Sequence, residues 1–289
     1  MLPKIPAQPM FVVRERCISC GSTQSAELSS GKFGDDPLRN FVDGDPWGEN
    51  PLPLLENERW ALHECKSYTQ RQHRYILSPD WNNVRFSRWM SEASIRQFED
   101  DHGSNHDPCR DVQHVLRLRD MGVQRVLDFG CGFGQFLEMC HLFGLDAHGV
   151  DRSNARRAGA GVQILSALED VTGTFDAITM FEVLEHLDDP LATLKALRSR
   201  LNAHGFMIVE VPDTTGISSF TDRESYYKIH PLDHINAFTP ESLVAIMRKA
   251  GFEPIKKEAA FVTTSLKRVA KDLARANIKQ RSTQRYFRA

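Results

Sequence analysis

The segment Val126-Leu127-Asp128-Phe129-Gly130-Cys131-Gly132-Phe133-Gly134 constrains this chain more than any other. A short apolar run enters a turn with glycine at every second position, and a helical pattern follows from Gln135 to Phe143. Glycine at such a turn lets the backbone approach a bound molecule where a side chain would collide. A second apolar run, Ala147 to Val150, ends in Asp151, 21 residues after Gly130. A carboxylate in that position can accept hydrogen bonds from both hydroxyls of an adenosine ribose. The spacing is G-x-G-x-G rather than the G-x-G-x-x-G of dinucleotide sites. A pyrophosphate needs free helix N-terminal amides, whereas a cationic ligand is better served by an acid such as Asp128 beside the loop. A tight left-handed turn alone would explain glycine without a ligand. The ligand-loop reading therefore rests on the glycines and both acids together.

The alternation of strand and helix patterns continues. Val162 to Leu165 reads as a weak third strand and Phe175 to Phe181 as a fourth. Asp189-Pro190 opens a helix with Leu191, Leu194, Leu197 and Leu201 on one stripe, and Phe206 to Val209 is a fifth strand. Thr239-Pro240 starts another helix, with Leu243, Ile246 and Met247 inward and Gly251 as its stop, before a sixth strand begins at Phe252 to Ile255. Upstream, Asp107-Pro108 is a helix start followed by a Val112, Val115, Leu116 face. This pattern predicts a doubly wound α/β sheet. Residues 31 to 58 are rich in Pro, Gly and short polar residues, and aromatics gather from Trp60 to Trp89, with a helical stretch near 91 to 101. The expected division is a small loop-rich N-terminal module over 1–104, a sheet domain over 105–264 and a basic helical tail over 265–289.

Formal net charge is −2, from 36 Lys and Arg against 38 Asp and Glu. No overall basic field therefore advertises nucleic acid or membrane. No apolar run reaches the roughly 18 residues of a transmembrane segment, and the start of the chain lacks the apolar core of a secretory signal. Six cysteines, irregularly spaced, do not make a disulfide framework. A cytoplasmic protein is the expectation. The tail carries eight Lys or Arg and one acid; it reads as a solvated basic helix face, with nucleic acid, an anionic glycolipid or a partner protein as alternatives.

The central stretch resembles the first two motifs of the class I S-adenosylmethionine (SAM)-dependent methyltransferases. Phe175-Asp176-Ala177-Ile178, followed by Phe181-Glu182-Val183-Leu184-Glu185-His186, is similar to the fourth-strand motif of a subgroup that includes ubiquinone-pathway O-methyltransferases. Val209 to Pro212, His234 to Leu243 and Ala250-Gly251-Phe252 continue that resemblance, which runs from about 105 to 260. It implies a Rossmann-like methyltransferase sheet with SAM as cofactor. Asp128, Phe129, Gly130, Cys131, Gly132 and Gly134 would pass along methionine and ribose. Asp151 would hold the ribose hydroxyls, with Arg152 beside the adenine. Leu168 and Glu169 would flank the adenine ring, with a core position as the plain alternative for Leu168, and Phe181 and Glu182 would close the other side.

Methyl transfer from a sulfonium is an in-line displacement, so alignment and exclusion of water matter most. A hydroxyl acceptor also needs proton removal, for which His186 and His234 are the candidates; capping and packing are their structural alternatives. Glu182, Glu185, His186 and His234 together are similar to the metal site of small-RNA 2′-O-methyltransferases, which raises an active-site divalent ion. The leading expectation is methylation of a small-molecule or carbohydrate acceptor at oxygen. A metal-assisted RNA 2′-O-methyltransferase and a non-catalytic scaffold of the same fold are the alternatives.

Arg16-Cys17-Ile18-Ser19-Cys20-Gly21 is a C-x2-C-G knuckle, a turn that aims two thiolates at one tetrahedral ion. Cys65 follows 45 residues after Cys20. Some sugar methyltransferases of the subgroup carry an N-terminal zinc module of two C-x2-C pairs, but here Tyr68 stands where a fourth cysteine would be. A structural zinc on Cys17, Cys20 and Cys65 would need His63 or His73 as fourth ligand, and the spacing does not choose between them. The alternative is a degenerate module whose thiols pack in the aromatic cluster.

Overall fold

The computed structural model describes residues 5–90, 94, 97, 108–153, 161–255 and 282–288, which divide into two compact units. One comprises Met1–Asn105 with Glu185–Asp189 and Thr214–Ala245; the other comprises His106–Leu184, Pro190–Asp213 and Ile246–Ala289. Two later segments thus group with the N-terminal residues, an interleaving that a contiguous reading of the chain does not anticipate.

The first unit contains more regular structure than its Pro- and Gly-rich composition suggests. Strands β1 (Phe11–Val13), β2 (Ser25–Lys32), β3 (Arg59–Cys65), β4 (Arg71–His73) and β5 (Tyr75–Leu77) form a β1–β5 pair and an antiparallel sheet. That sheet has the order β11-β4-β3-β2, its edge being β11 (Asn236–Ala237) from the distant segment. Short helices α1 (Leu38–Asp43) and α2 (Leu52–Leu55) fall in the stretch expected to be loop, and α3 (Pro79–Val84) follows β5. Proline places two of them: Pro79 lies in the first turn of α3, and Pro51 caps α2. Phe33, Leu55, Leu62, Trp89 and Tyr226 are among the fully buried side chains of one apolar cluster. The aromatic density between 60 and 89 is this core. Most of the helical stretch expected near 91 to 101 lies outside the described residues.

The second unit carries a seven-stranded sheet in the order β12-β13-β10-β9-β6-β7-β8. Its parallel part is β6 (Arg125–Phe129), β7 (Asp146–Val150), β8 (Ile164–Leu165), β9 (Phe175–Phe181) and β10 (Leu201–Pro212). β13 (Ser282–Arg288) runs antiparallel to β10 and to β12 (Glu253–Pro254). Strands covered on both faces need continuous apolar runs, and Val126, Leu127, Ile178, Met180, Ile208 and Val209 are all fully buried. Truncating any one of the leucines or isoleucines among them to alanine costs about 2–5 kcal/mol.

Helices α4 (Pro108–Asp120), α5 (Gln135–Leu142) and α6 (Pro190–Arg198) belong to this unit. In the first unit, α7 (Arg223–Lys228) is held by a capping box between Asp222 and Ser225. Helix α8 (Pro240–Lys249) buries Leu243, Ile246 and Met247 as its spacing predicts.

Four local readings change. The inward face of α4 is Asp111, His114, Val115 and Leu118, not Val112, Val115 and Leu116. Leu201 begins β10 instead of ending the helical stripe, and the third strand shrinks to two residues. Most of the expected basic helix at 265–281 lies outside the described residues, but 282–288 is a strand, where Phe287 is buried. Pairing with β10 along seven residues outweighs the charge pattern there.

Candidate functional site

The strand order reverses at β6: β7 follows on one side and β9 pairs on the other. Ligands of open α/β sheets bind outside the carboxyl ends of the strands at such a switch point, and Gly130 to Gly134 is the loop that leaves β6 there. Gly130, Gly132 and Gly134 all have positive φ, at 79°, 59° and 82°. The three glycines have different physical reasons. A Cβ on Gly130 would lie 2.4 Å from Val183 Cγ2, so packing within the unit already demands glycine there. A Cβ on Gly132 would meet nothing within 4 Å, so open space lies in front of its backbone. Gly134 begins α5 in the left-handed conformation.

Asp151 is buried at the end of β7. Its Oδ2 accepts the Gly132 N–H at 2.9 Å and its Oδ1 accepts the Ser153 N–H at 2.8 Å. The acid that the sequence marks for a ribose therefore also fixes the glycine loop. Arg152 beside it is exposed, Phe129 is half-buried and Cys131 is buried. Leu168 and Glu169 open a short 3-10 turn, Leu168 half-buried and Glu169 exposed, with Arg200 donating to the Leu168 carbonyl at 3.3 Å. Glu182, just after β9, takes φ 55°, a left-handed conformation rare for a non-glycine residue. Strain of this kind gathers at ligand sites.

Beneath the loop lies a set of buried acids. Asp128, 3% exposed, accepts a hydrogen bond from Thr179 Oγ1 at 2.7 Å across the β6–β9 register. Burial pushes its carboxyl up to about 7, and the charges of Asp111 and Asp151 add to the rise against Thr179 and Arg110. Helix α4 presents Arg110, Asp111 and His114 here. Arg110 Nη1 lies 3.2 Å from Glu210 Oε1, and its guanidinium sits 5.5 Å over the Phe181 ring. His114 packs at a tilt against Phe181, 4.7 Å between ring centroids, and burial pushes its imidazole down to about 3, so it is neutral. The α4 residues escape a sequence reading because polar residues on a helix are assigned to solvent, and Thr179 because it passes as one polar residue in an apolar strand. The usable signal was Asp111, Val115 and Leu118 at i, i+4, i+7.

His186 and His234 both belong to the first unit. His186 Nδ1 faces Asp233, 2.9 Å from Oδ1, and Nε2 lies 3.8 Å from Glu185 Oε1. Arg85 Nη2 forms an ion pair with the same Asp233 oxygen. Burial opposes a charge on His186, but Asp233 and Glu185 outweigh it and hold the imidazole up at about 9. His234, 4.8 Å away ring to ring, is pushed down to about 3 by burial and by His186. One ligand atom each of Glu185, His186 and His234 lies within 4.8 Å of the others. Glu182 belongs to the other unit. His230, a neighbour in sequence, instead bonds Tyr226 Oη at 2.8 Å beside Asp45.

The three cysteines also converge. Cys20 Sγ and Cys65 Sγ are 3.6 Å apart, and Cys17 Sγ lies within 4.8 Å of both. Gly21 turns the knuckle at φ 76°, its N–H donating to the Cys17 carbonyl, while the Ser19 N–H approaches Cys17 Sγ at 3.4 Å. Neither proposed fourth ligand joins them. His73 is fully buried against Trp60, with Nε2 2.8 Å from the Ile229 carbonyl. Its neighbour Gln72 bonds the knuckle at Ile18 N and Arg16 O, and strand alternation sends His73 the other way. His63 shares a strand face with Cys65, but its Nδ1 is bonded to Ser25 Oγ at 3.1 Å and Nε2 lies 3.7 Å from Glu27 Oε2.

The methyltransferase domain family matches residues 88–257. A ubiquinone biosynthesis O-methyltransferase of Ruegeria pomeroyi is 27% identical over 203 residues, spanning 58% of this chain and 82% of the relative. One from Cereibacter sphaeroides is 29% identical over 168 residues, spanning 52% of this chain and 67% of the relative. Among solved structures, the plantazolicin methyltransferase BamL, in complex with a triazolic desmethylPZN analog and SAH, superposes with TM-score 0.51 at 14% identity, covering 72% of this chain and 93% of that one. The likeness in structure is a likeness of fold.

Proposed function

The chain belongs to the methyltransferase domain family, and from that premise we propose that it moves a methyl group from SAM to an oxygen of a small-molecule acceptor. It is a class I SAM-dependent methyltransferase. The observation that carries the reading is the loop after β6, with open space before Gly132 and the Asp151 carboxylate anchoring that same residue. When bound, SAM supplies a methyl group already activated by the positive charge on its sulfur.

The residues present suit such a ligand. Asp151, a carboxylate with four lone-pair sites, accepts the Gly132 and Ser153 amides and is of the chemistry that holds ribose hydroxyls. Asp128, with Asp111 and Asp151 near it, makes the floor of the loop acidic, which favours a cationic methionine moiety. Gly130, Cys131, Gly132 and Gly134 would run along the cofactor, with Phe181 and Glu182 opposite and Leu168, Glu169 and Arg152 toward the adenine.

His186 rests as a cation between Asp233 and Glu185. It does not take a proton from a hydroxyl in that state, so its role is to position and to hold charge, with His234 packed against it. The O-methyltransferase relatives support oxygen as the acceptor atom. A small acceptor is favoured because the charge is near neutral overall and no aromatic-basic face marks an RNA binder. Among the described residues no helix is long and apolar enough to cross a membrane. Unbridged thiols as close as Cys20 and Cys65 favour a reducing compartment, in keeping with a cytoplasmic protein. Calorimetry with SAM tests the cofactor, and a screen of hydroxylated metabolites with labelled SAM tests the acceptor. No heat of binding at millimolar SAM would defeat the reading.

The Glu185, His186 and His234 cluster supports a second reading, in which a divalent cation binds there and lowers the pKa of an acceptor hydroxyl. Turnover that survives exhaustive chelation excludes it.

A further inference from the structure

Three thiols brought together from a knuckle and a neighbouring strand need a reason. Cys17 and Cys65 are buried, and Cys20 is half-buried. The Cys20–Cys65 separation of 3.6 Å is close to the edge of a tetrahedron built on Zn–S bonds of about 2.3 Å. The Ser19 N–H directed at Cys17 Sγ and the left-handed Gly21 supply the backbone of a metal-binding turn. Soft thiolates in this number select a thiophilic ion over magnesium or calcium.

The fourth corner is unusual. Among the described residues no further cysteine, histidine or carboxylate joins the cluster. His63 lines the same small cavity as Cys17 and Cys65, but its ring nitrogens face Ser25 and Glu27 on β2. That cavity is also lined by Arg14, Arg16 and Arg74 together with Glu15, Arg14 donating to the Ile235 and Asp188 carbonyls and Arg16 to that of Gly21. A dication held by three thiolates carries a net charge of −1, and a lining with three basic side chains against one acid offsets that charge and tolerates a further small anion. Structural zinc sites are closed by four protein ligands, whereas sites that keep a position open exchange ligands there.

We infer that Cys17, Cys20 and Cys65 hold one zinc ion whose fourth position is open to the arginine-lined cavity and is filled by an exchangeable ligand, water or a small anion. The site lies wholly within the first unit, and its test reads metal instead of methyl transfer, so it stands or falls apart from the proposed activity.

The full-length chain, purified reduced and stripped of metal, is titrated with cobalt(II) as a spectroscopic stand-in for zinc. The expected result is one equivalent bound, with sulfur-to-metal charge transfer and the visible bands of a tetrahedral ion. Azide or imidazole should then shift those visible bands in the wild-type protein without removing the metal. His63→Ala should bind cobalt within threefold of wild type, while Cys17→Ser, Cys20→Ser and Cys65→Ser should each weaken it at least tenfold. Should the cysteine variants fail to fold, the azide titration of the wild type still decides. Bands that do not move with added azide or imidazole, loss of binding in His63→Ala, or no cobalt bound at all would each overturn the inference.

Discussion

Replacing Asp128 by asparagine should make the protein more stable at alkaline pH relative to acid, at the expense of the cofactor. Asp128 is buried, with Thr179 Oγ1 donating to it, and its carboxyl is held up to about 7 from an ordinary value of 3.8. The sign follows from linkage. Below about pH 4 the acid is neutral in both folded and unfolded chains and costs nothing. As pH rises, the unfolded chain ionises first, so stability is lost progressively until the folded carboxyl ionises near pH 7. The full loss is roughly 4 kcal/mol, at about 1.4 kcal/mol per pH unit.

Asparagine keeps an acceptor for Thr179 and never ionises. Its amide adds a fixed cost of about 1–3 kcal/mol if poorly paired, but that cost is the same at every pH. The stability difference between variant and wild type should therefore move by about 3 kcal/mol in the variant's favour between pH 4.5 and pH 8. Urea denaturation at constant ionic strength across that range measures it directly. Parallel curves, differing by less than about 0.5 kcal/mol in their pH dependence, would refute the placement of Asp128 as a desolvated acid. The same ionisation should serve binding: SAM affinity of the wild type should climb as pH passes 7, and in Asp128→Asn it should be weaker and flat.

Asp151→Ala should weaken SAM binding by about 1.5–3 kcal/mol through lost charge-assisted hydrogen bonds, and Asp151→Asn by less; unchanged calorimetric affinity in both would move the ribose elsewhere. Gly130→Ala and Gly132→Ala should separate packing from ligand space. The first drives a methyl into Val183 and lowers the melting temperature by several degrees or more. The second, with nothing near it, should cost only about 1 kcal/mol of stability while weakening SAM at least as much as the first. His186→Gln removes a cation held up at about 9 by Asp233 and Glu185 against burial. The stability it contributes is present below about pH 6.5 and lost toward pH 9, so melts across that window should be flatter in the variant. Turnover should fall less than a thousandfold, and a larger drop in a folded, cofactor-binding variant would make His186 a base.

The sheet and its glycine loop were legible in the sequence because local rules and the tertiary fold agree there. An apolar run long enough only for a strand, glycines that must take positive φ and an acid at the next strand end leave one arrangement, and β6, α5 and β7 follow it nearly residue for residue. The fourth strand was legible for the same reason: Phe175 to Phe181 is apolar except at Asp176 and Thr179 because both of its faces are covered. The knuckle at Cys17 and Cys20 was equally local.

What the sequence did not decide depends on residues far apart meeting, or on burial overruling polarity. The spacing of Asp111, Val115 and Leu118 marks a face but does not say that polar Asp111 and His114 turn inward on it; the reason is the buried acid and aromatic ring beside them, contributed by other strands. The tail at 282–288 reads as a charged helix face until β10 offers it a partner along seven residues. His73 and His63 were equal candidates for a metal on spacing alone. The pleat of two strands separates them, turning His73 into the aromatic core and leaving His63 beside the thiols but bonded to β2. Asp233 and Glu185 convert His186 from a candidate base into a resting cation. A pKa is set by the charges and solvent around a group, and only the folded chain assembles those.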